Sequence, residues 1–397
     1  MTSLRPSRWR LLAPPLLAAL AGAAPPPPPL VEGVAALTLH RPRTARVHLM
    51  NAVRTDPANG LARALLGRVA LALGDGDGAV AELQQARAAG FPAARSRHLM
   101  AEALLLRGDA AGALAEADAA AIPARYAAYA ARIRGRARAA LGDRPGAVAE
   151  FETARTLAPR SAAVWQDITR FRRDSGEVAG AIVAAAQAVA LDPRDPEGLR
   201  LRGLLVRSQF GLTAALPWFD RAVAVDPGNV PALLDKAATL GDLGRYREML
   251  ATTRAAMAFD SGNATAFYLQ AVLAARAGKP ALARSLLDRA GPRLDALPGA
   301  MLLDGILAIR LGVNARAVTR LDALVARQPD NLAARRLLGL AHWRYGAPAE
   351  AIAALAPAAA FGDRYAAALT GRAYERLGDR RAAAAWLDRA ARPADVT

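Results

Sequence analysis

A period of 34 residues runs through this sequence and limits the folds open to it more than any other feature. Pro159, Pro193 and Pro227 are spaced 34 and 34 apart. Ala147, Ala181 and Ala215 keep the same step, as do Ala154, Ala188 and Ala222, and Pro329 lies three further steps beyond Pro227. Run in both directions, the ruler gives units starting at 60, 94, 128, 162, 196, 230, 264, 298 and 332, with a tenth near 364 after a unit about two residues short. A fixed period of this length marks an array of one supersecondary unit that cannot bury its apolar face alone. Length by itself would suggest roughly two or three domains for 397 residues, but that prior gives way once repeats are present.

One stretch, "GDRPGAVAEFETARTLAP" (142–159), shows what the unit is made of. Ala147, Phe151 and Ala154 fall four and then three residues apart, so they share one helical face. Gly142 stands ahead of that helix and Pro159 behind it. Most units repeat the glycine at position fifteen (Gly74, Gly108, Gly142, Gly176, Gly244, Gly278, Gly312, Gly346, Gly378), where a left-handed residue can stop a first helix. Nearly every unit has a small residue at position eight, and alanine stands at twenty in all but one, where Met249 replaces it. Small residues at eight, twenty and twenty-seven allow helix backbones to approach closely, and the larger residue at twenty-four fills the gap. The spacing therefore predicts two helices per unit and an all-α chain. Alanine, leucine and arginine, which favour helix, dominate the composition.

These features resemble the tetratricopeptide repeat, with an aromatic at four, Leu-Gly at seven and eight, Tyr at eleven, Ala at twenty, Phe at twenty-four, Ala at twenty-seven and Pro at thirty-two. Unit 162–195 carries Trp165, Ala181, Ala188 and Pro193, unit 332–363 has Leu338-Gly339, and the last unit has Gly371 and Tyr374. The resemblance covers residues 60–397. Position eleven is rarely tyrosine, and units 94–127 and 230–263 fit poorly. Upstream, "HLMNAVRTDP" (48–57) within 43–59 reads as a degenerate repeat or an N-terminal cap helix. The resemblance implies a right-handed superhelical solenoid of about ten helix-turn-helix units, with a concave groove lined by the first helices that grips a protein or peptide segment.

In that arrangement positions two, five, nine, twelve and thirteen of each unit face the groove. Units three to five collect Tyr129, Arg132, Arg136, Arg170, Arg173, Arg200 and Arg207 there. Units seven and eight carry Tyr268, Val272, Leu302, Ile306 and Ile309. The expectation is a groove basic toward its N-terminal half and apolar further on. Arginines can fork onto carboxylates or phosphates, which favours an acidic ligand. The competing reading has them solvated or neutralised by Asp167, Asp174 and Glu197. The family's carboxylate clamp uses lysine and asparagine, and asparagine is missing from these positions.

The formal charge is +17, and Lys236 and Lys279 are the only lysines. Such an excess favours anionic partners, an acidic protein segment or an acidic polysaccharide; a genome that spells its surface charges as arginine would produce it as well. Aromatics are too scattered for base stacking, so nucleic acid comes last among partners. There is no cysteine, which excludes disulfides, thiolate metal sites and a cysteine nucleophile. Residues 1–23 have the layout of a secretory signal peptide. Arg5, Arg8 and Arg10 precede an apolar run from Leu11, and an A-x-A pattern ends at Ala23. An uncleaved anchor is the alternative. Residues 24–42 read as a proline-rich spacer, extended and stiff over Pro25–Pro29.

No motif of chemistry emerges. His40, His48, His98 and His342 are scattered, "GDGDG" (74–78) coincides with an interhelix turn, and Gly278-Lys279-Pro280 lacks the spacing of a phosphate loop. G-x-S-x-G does not occur, and "NAT" (263–265) falls at a unit boundary. The repeats leave no room for a catalytic domain. The sequence thus points to a non-enzymatic binding scaffold without cofactor or metal, in the periplasm or cell envelope, within a secretion, pilus or polysaccharide assembly. Binding of an anionic exopolysaccharide, or service as a regulatory subunit of a separate enzyme, are the alternatives.

Overall fold

A computed structural model describes residues 28–391, so the expected signal peptide lies outside the described residues. The period becomes helix pairs, each a first helix, a tight turn and a second helix. In chain order they are α1 (Pro28–Thr38) with α2 (Pro42–Thr55), α3 (Gly60–Ala72) with α4 (Gly76–Ala88), and α5 (Ala93–Leu106) with α6 (Ala110–Glu116). Then come α7 (Ala127–Ala140) with α8 (Arg144–Leu157), α9 (Ala162–Asp174) with α10 (Val178–Leu191), and α11 (Pro196–Phe210) with α12 (Leu212–Val225). Next are α13 (Val230–Asp242) with α14 (Tyr246–Phe259), and α15 (Ala264–Arg276) with α16 (Pro280–Ala290). The last are α17 (Pro298–Arg310) with α18 (Asn314–Arg327), α19 (Leu332–Tyr345) with α20 (Pro348–Ala360), and α21 (Arg364–Leu377) with α22 (Arg380–Ala391). The described residues contain no strand. None of their helices is long and apolar enough to cross a membrane.

Local chemistry sets the boundaries. At the end of α7, Gly142 takes φ 82°, a left-handed conformation that stops the helix. Asp143 follows at once, its side chain accepting from the Gly146 amide at 2.9 Å to cap α8. Asp75 and Asp109 repeat this cap on Gly78 and Gly112. The first helices are capped in the same rhythm from the residue before each unit, by Asn59, Asn229, Asn263, Asn331 and Asp363. A cap of this kind contributes about 1 kcal/mol.

Packing within a pair follows the expected small–large rule. A Cβ on Gly135 would stand 2.8 Å from the Phe151 ring, and one on Gly203 would stand 2.7 Å from Phe219. Both rings are buried, so helix and ring fit only because the glycine has no side chain.

The chain divides into two compact units, 1–235 and 236–397. In each, consecutive pairs stack, and neighbouring first helices also touch: α5 with α7, α7 with α9 and α9 with α11 in the first unit. In the second, α15 touches α17, α17 touches α19, and α19 touches α21. Second helices of neighbouring pairs do not approach so closely among the described residues. Each unit therefore curves toward its first-helix side, the expected inner wall.

Three places depart from expectation. Residues 28–38 of the expected spacer are helical, and α1 buries Leu30, Val34 and Ala36 in one core with Leu49 and Leu65. The segment 43–59 is thus the second helix of a complete pair. Helix α6 is short, and 3-10 turns at Ala119–Ala121 and Ala124–Tyr126 fill out its unit, with Ile122 and Tyr126 completing the core. The other poorly matching unit has a full-length α14, because Gly241 makes room for Met249: a Cβ there would lie 2.7 Å from its sulfur.

The first unit also closes on itself. Between α1 and α2, His40 adopts φ 54° and its Nε2 lies 3.1 Å from Asp192 Oδ2, in the turn after α10. Arg43, on the first turn of α2, donates to the Gly228 carbonyl in the turn after α12.

Candidate binding surface

On the inner wall of the first unit the expected residues come together as a charge-paired ladder. Tyr129 on α7 donates its hydroxyl to the Glu102 carboxylate on α5, and Arg136 donates to the same carboxylate at 2.8 Å. Arg132 reaches forward to Asp167 on α9 at 2.7 Å and lies 5.1 Å over the Tyr129 ring. Arg170 bridges Asp167 at 2.8 Å and Glu197 on α11 at 2.6 Å. Arg200 continues the ladder, bonded to Glu197 at 2.7 Å and Asp235 on α13 at 2.6 Å. Four cations thus meet four carboxylates from five successive first helices.

The electrostatics follow from burial. The Asp167 side chain is 0% exposed, which would push its pKa up. Arg132, Arg136 and Arg170 outweigh that and hold the carboxyl below its ordinary 3.8. Burial acts on Glu197 in the same way, and Arg200 with Arg170 again outweighs it. Burial raises the Tyr129 hydroxyl, aided by Glu102, so it stays a donor. Arg173 is more exposed and pairs with its neighbour Asp174 at 2.9 Å, while Arg207 sits half-buried near the end of α11. The positive charge of Arg132, Arg136, Arg170 and Arg200 is therefore met inside the protein, as in the neutralised reading of the wall.

The pattern missed some members of this surface. His98, at position five of the ill-fitting unit 94–127, stacks on Tyr126 at 4.0 Å and meets Tyr129 edge-on at 4.9 Å. Burial, with Arg68 adding to it, pushes His98 down to about 4. Glu102 stands at position nine of the same unit, so counting positions through the weak match would have found both. A spatial cluster was also invisible in the sequence: His40, Asp192 and Asp195 offer ligand atoms within 4.8 Å of one another. The Asp195 carboxylate already caps α11 and accepts from Gln166 at 2.6 Å.

The second unit presents a different wall. Tyr268, Val272, Leu302, Ile306 and Leu340 are half-buried on successive first helices, whereas Ile309 is buried in the core. Tyr268 lies over Gly299, where a Cβ would come within 2.6 Å of its hydroxyl. On the second-helix side, buried Asp304 accepts from Arg284 at 2.5 Å and from Arg316 and Arg320 at 2.9 Å. They line a cavity of about 260 Å³ whose other charges are Asp288 and Asp295.

This architecture defines the class: α-solenoid segments built from helix-turn-helix units, with an inner wall of first helices. Tetratricopeptide-repeat profiles match residues 36–103, 172–230 and 302–366. With the period and the helix pairs, they make the chain a tetratricopeptide repeat protein, the kind of fold that serves as a protein–protein interaction scaffold. No curated protein matches the chain. Among solved structures it is similar to a tetratricopeptide repeat protein from Parabacteroides merdae, at 18% identity over 58% of this chain and 91% of that one, with a TM-score of 0.38. PilW, a type IV pilus biogenesis factor, is 20% identical over 53% of this chain and 96% of its own, with a TM-score of 0.45. YrrB, a repeat protein with an unusual peptide-binding site, is 18% identical over 51% of this chain and 96% of its own, with a TM-score of 0.35.

Proposed function

We propose that the protein is a non-enzymatic scaffold of the bacterial cell envelope, exported by residues 1–23, that holds a segment of a partner protein against its first-helix walls. The observation that carries this reading is the apolar strip Tyr268, Val272, Leu302, Ile306 and Leu340, half-buried on three consecutive first helices. A monomeric fold gains by burying such side chains, and here they line up on consecutive helices where a partner's apolar residues can cover them. The saturated ladder of the first unit supports the non-enzymatic part, because its carboxylates and guanidiniums neutralise one another and leave no acid–base pair poised for a substrate.

The test is photo-crosslinking in the native cells. A photoreactive residue at Ile306 is expected to give a discrete adduct, and one at Thr319, exposed on α18, is expected to give none. Equal labelling at both positions would overturn the wall as the binding face. A reporter fused after residue 60 is expected to be exported; retention in the cytoplasm would overturn the envelope assignment alone.

A further inference from the structure

We propose that the C-terminal ends of α15, α17, α19 and α21 form a row of guanidinium sites that takes an extended acidic peptide. Position thirteen of four consecutive first helices is arginine: Arg276, Arg310, Arg344 and Arg376. Arg310 donates through Nη1 to the Ala275 carbonyl at 3.1 Å, Arg344 to the Ile309 carbonyl at 3.0 Å, and Arg376 to the Trp343 carbonyl at 2.9 Å. Each carbonyl belongs to the preceding first helix. Arg276 donates to the Tyr246 hydroxyl at 2.8 Å, with its guanidinium 5.6 Å from that ring. All four side chains are exposed. Among the described residues none of them pairs with a carboxylate, whereas Arg336, on the same helix as Arg344, meets Asp363 at 3.5 Å.

The contrast with the first unit decides the assignment. There Arg132, Arg170 and Arg200 each spend their charge on carboxylates of the chain. Here each guanidinium is held by one hydrogen bond, with the Tyr246 ring 5.6 Å from Arg276 and the Trp343 ring 4.7 Å from Arg376, and none of the four is paired with a carboxylate among the described residues. A cation at a helix C-terminus is favoured by the dipole, which accounts for one arginine at one helix end. Four in register make a charged edge beside the apolar strip. Packed helices lie about 8–10 Å apart, and a polyproline II peptide repeats every three residues at about 9.3 Å. An acidic residue at every third position therefore brings one carboxylate to each arginine in turn, where the fork can bind it with two hydrogen bonds. Glu375, exposed beside Arg376, makes that rung the weakest. This inference rests on the first-helix wall being the partner face.

The test uses the full chain and a fluorescent peptide of four Glu-Ala-Pro repeats, read by anisotropy. Binding should weaken as salt is raised and should exceed that of an isomer with its glutamates contiguous. The R310Q/R344Q/R376Q variant keeps a polar side chain at each position but removes the charge and, being two bonds shorter, the hydrogen bond from Nη1 to each carbonyl. It should lose roughly thirtyfold in affinity, about threefold per exposed rung, with its helical content by circular dichroism unchanged at the assay temperature and with R254Q on α14 binding as wild type. Indifference to glutamate spacing, or equal binding of a single-stranded oligonucleotide or an acidic polysaccharide, would overturn the proposal. If the Ile306 adduct persists in that case, only the arginine row is lost; if the adduct fails too, the wall itself is wrong.

Discussion

Asp167 shows how much of the first unit's inner wall is spent on holding itself together. Its carboxylate is fully buried against Arg132 and Arg170, and the attraction has to offset the desolvation of both signs. Removing one partner leaves an uncompensated buried charge. Asp167→Asn should therefore destabilise the first unit by about 3–5 kcal/mol, measured by urea denaturation. A change below about 1 kcal/mol would mean that the ladder is as dispensable as surface ion pairs. The arginines were legible from their positions alone, because the period assigns a face to every residue. Asp167 and Glu197 were legible as neighbours three residues from Arg170 and Arg200, but the bonds that join one repeat to the next span 27 to 35 residues, as in Arg132–Asp167 and Arg170–Glu197. Adjacent units must be laid side by side before such a pair appears.

At the scale of the helix, Gly135 against Phe151 is the contact that sets how closely α7 and α8 approach. Alanine is the better helix former by about 1 kcal/mol, yet its Cβ would meet the buried ring at 2.8 Å. Overpacking costs about 1–3 kcal/mol, so Gly135→Ala should lower stability by about 1 kcal/mol net, and Phe151→Leu in the same chain should recover part of it. Thermal melts of the single and double variants check this; additive losses would show that the two residues do not share the gap. This rule was legible in the sequence, as were the turn glycines, because both recur at fixed positions. Helix α1 was not. Its apolar residues follow a proline run whose own preference is extended, and only burial beside Leu49 reveals it as half of a pair. Tertiary packing outweighed the local signal there.

The first unit as a whole is pinned by His40 and Arg43, which reach turns 152 and 185 residues away. The hydrogen bond with Asp192 raises His40 above its ordinary 6.5, with Asp195 adding to it; burial and Arg194 oppose. Asp226 also faces this region, with Arg43 beside it. A raised histidine contributes stability that is fully present below pH 6.5 and is lost as pH climbs through the raised value. Amide protection in α1 and α2, corrected for intrinsic exchange, should therefore fall between pH 6 and pH 8. His40→Gln should flatten that dependence. Protection that is constant with pH in the wild type would show that the contact carries no weight.

Stacked repeats ordinarily behave as a one-dimensional chain in which each member feels only its neighbours. The contact at His40 ends that modularity for the first unit, because the ladder of pairs has become a loop whose circumference is counted in whole repeats. Adding or deleting one repeat would change that count and set the latch against the wrong tooth. The period supplies the remedy: Asp226 stands 34 residues after Asp192. A chain shortened by one repeat inside the loop would present His40 with a second aspartate where the first had been.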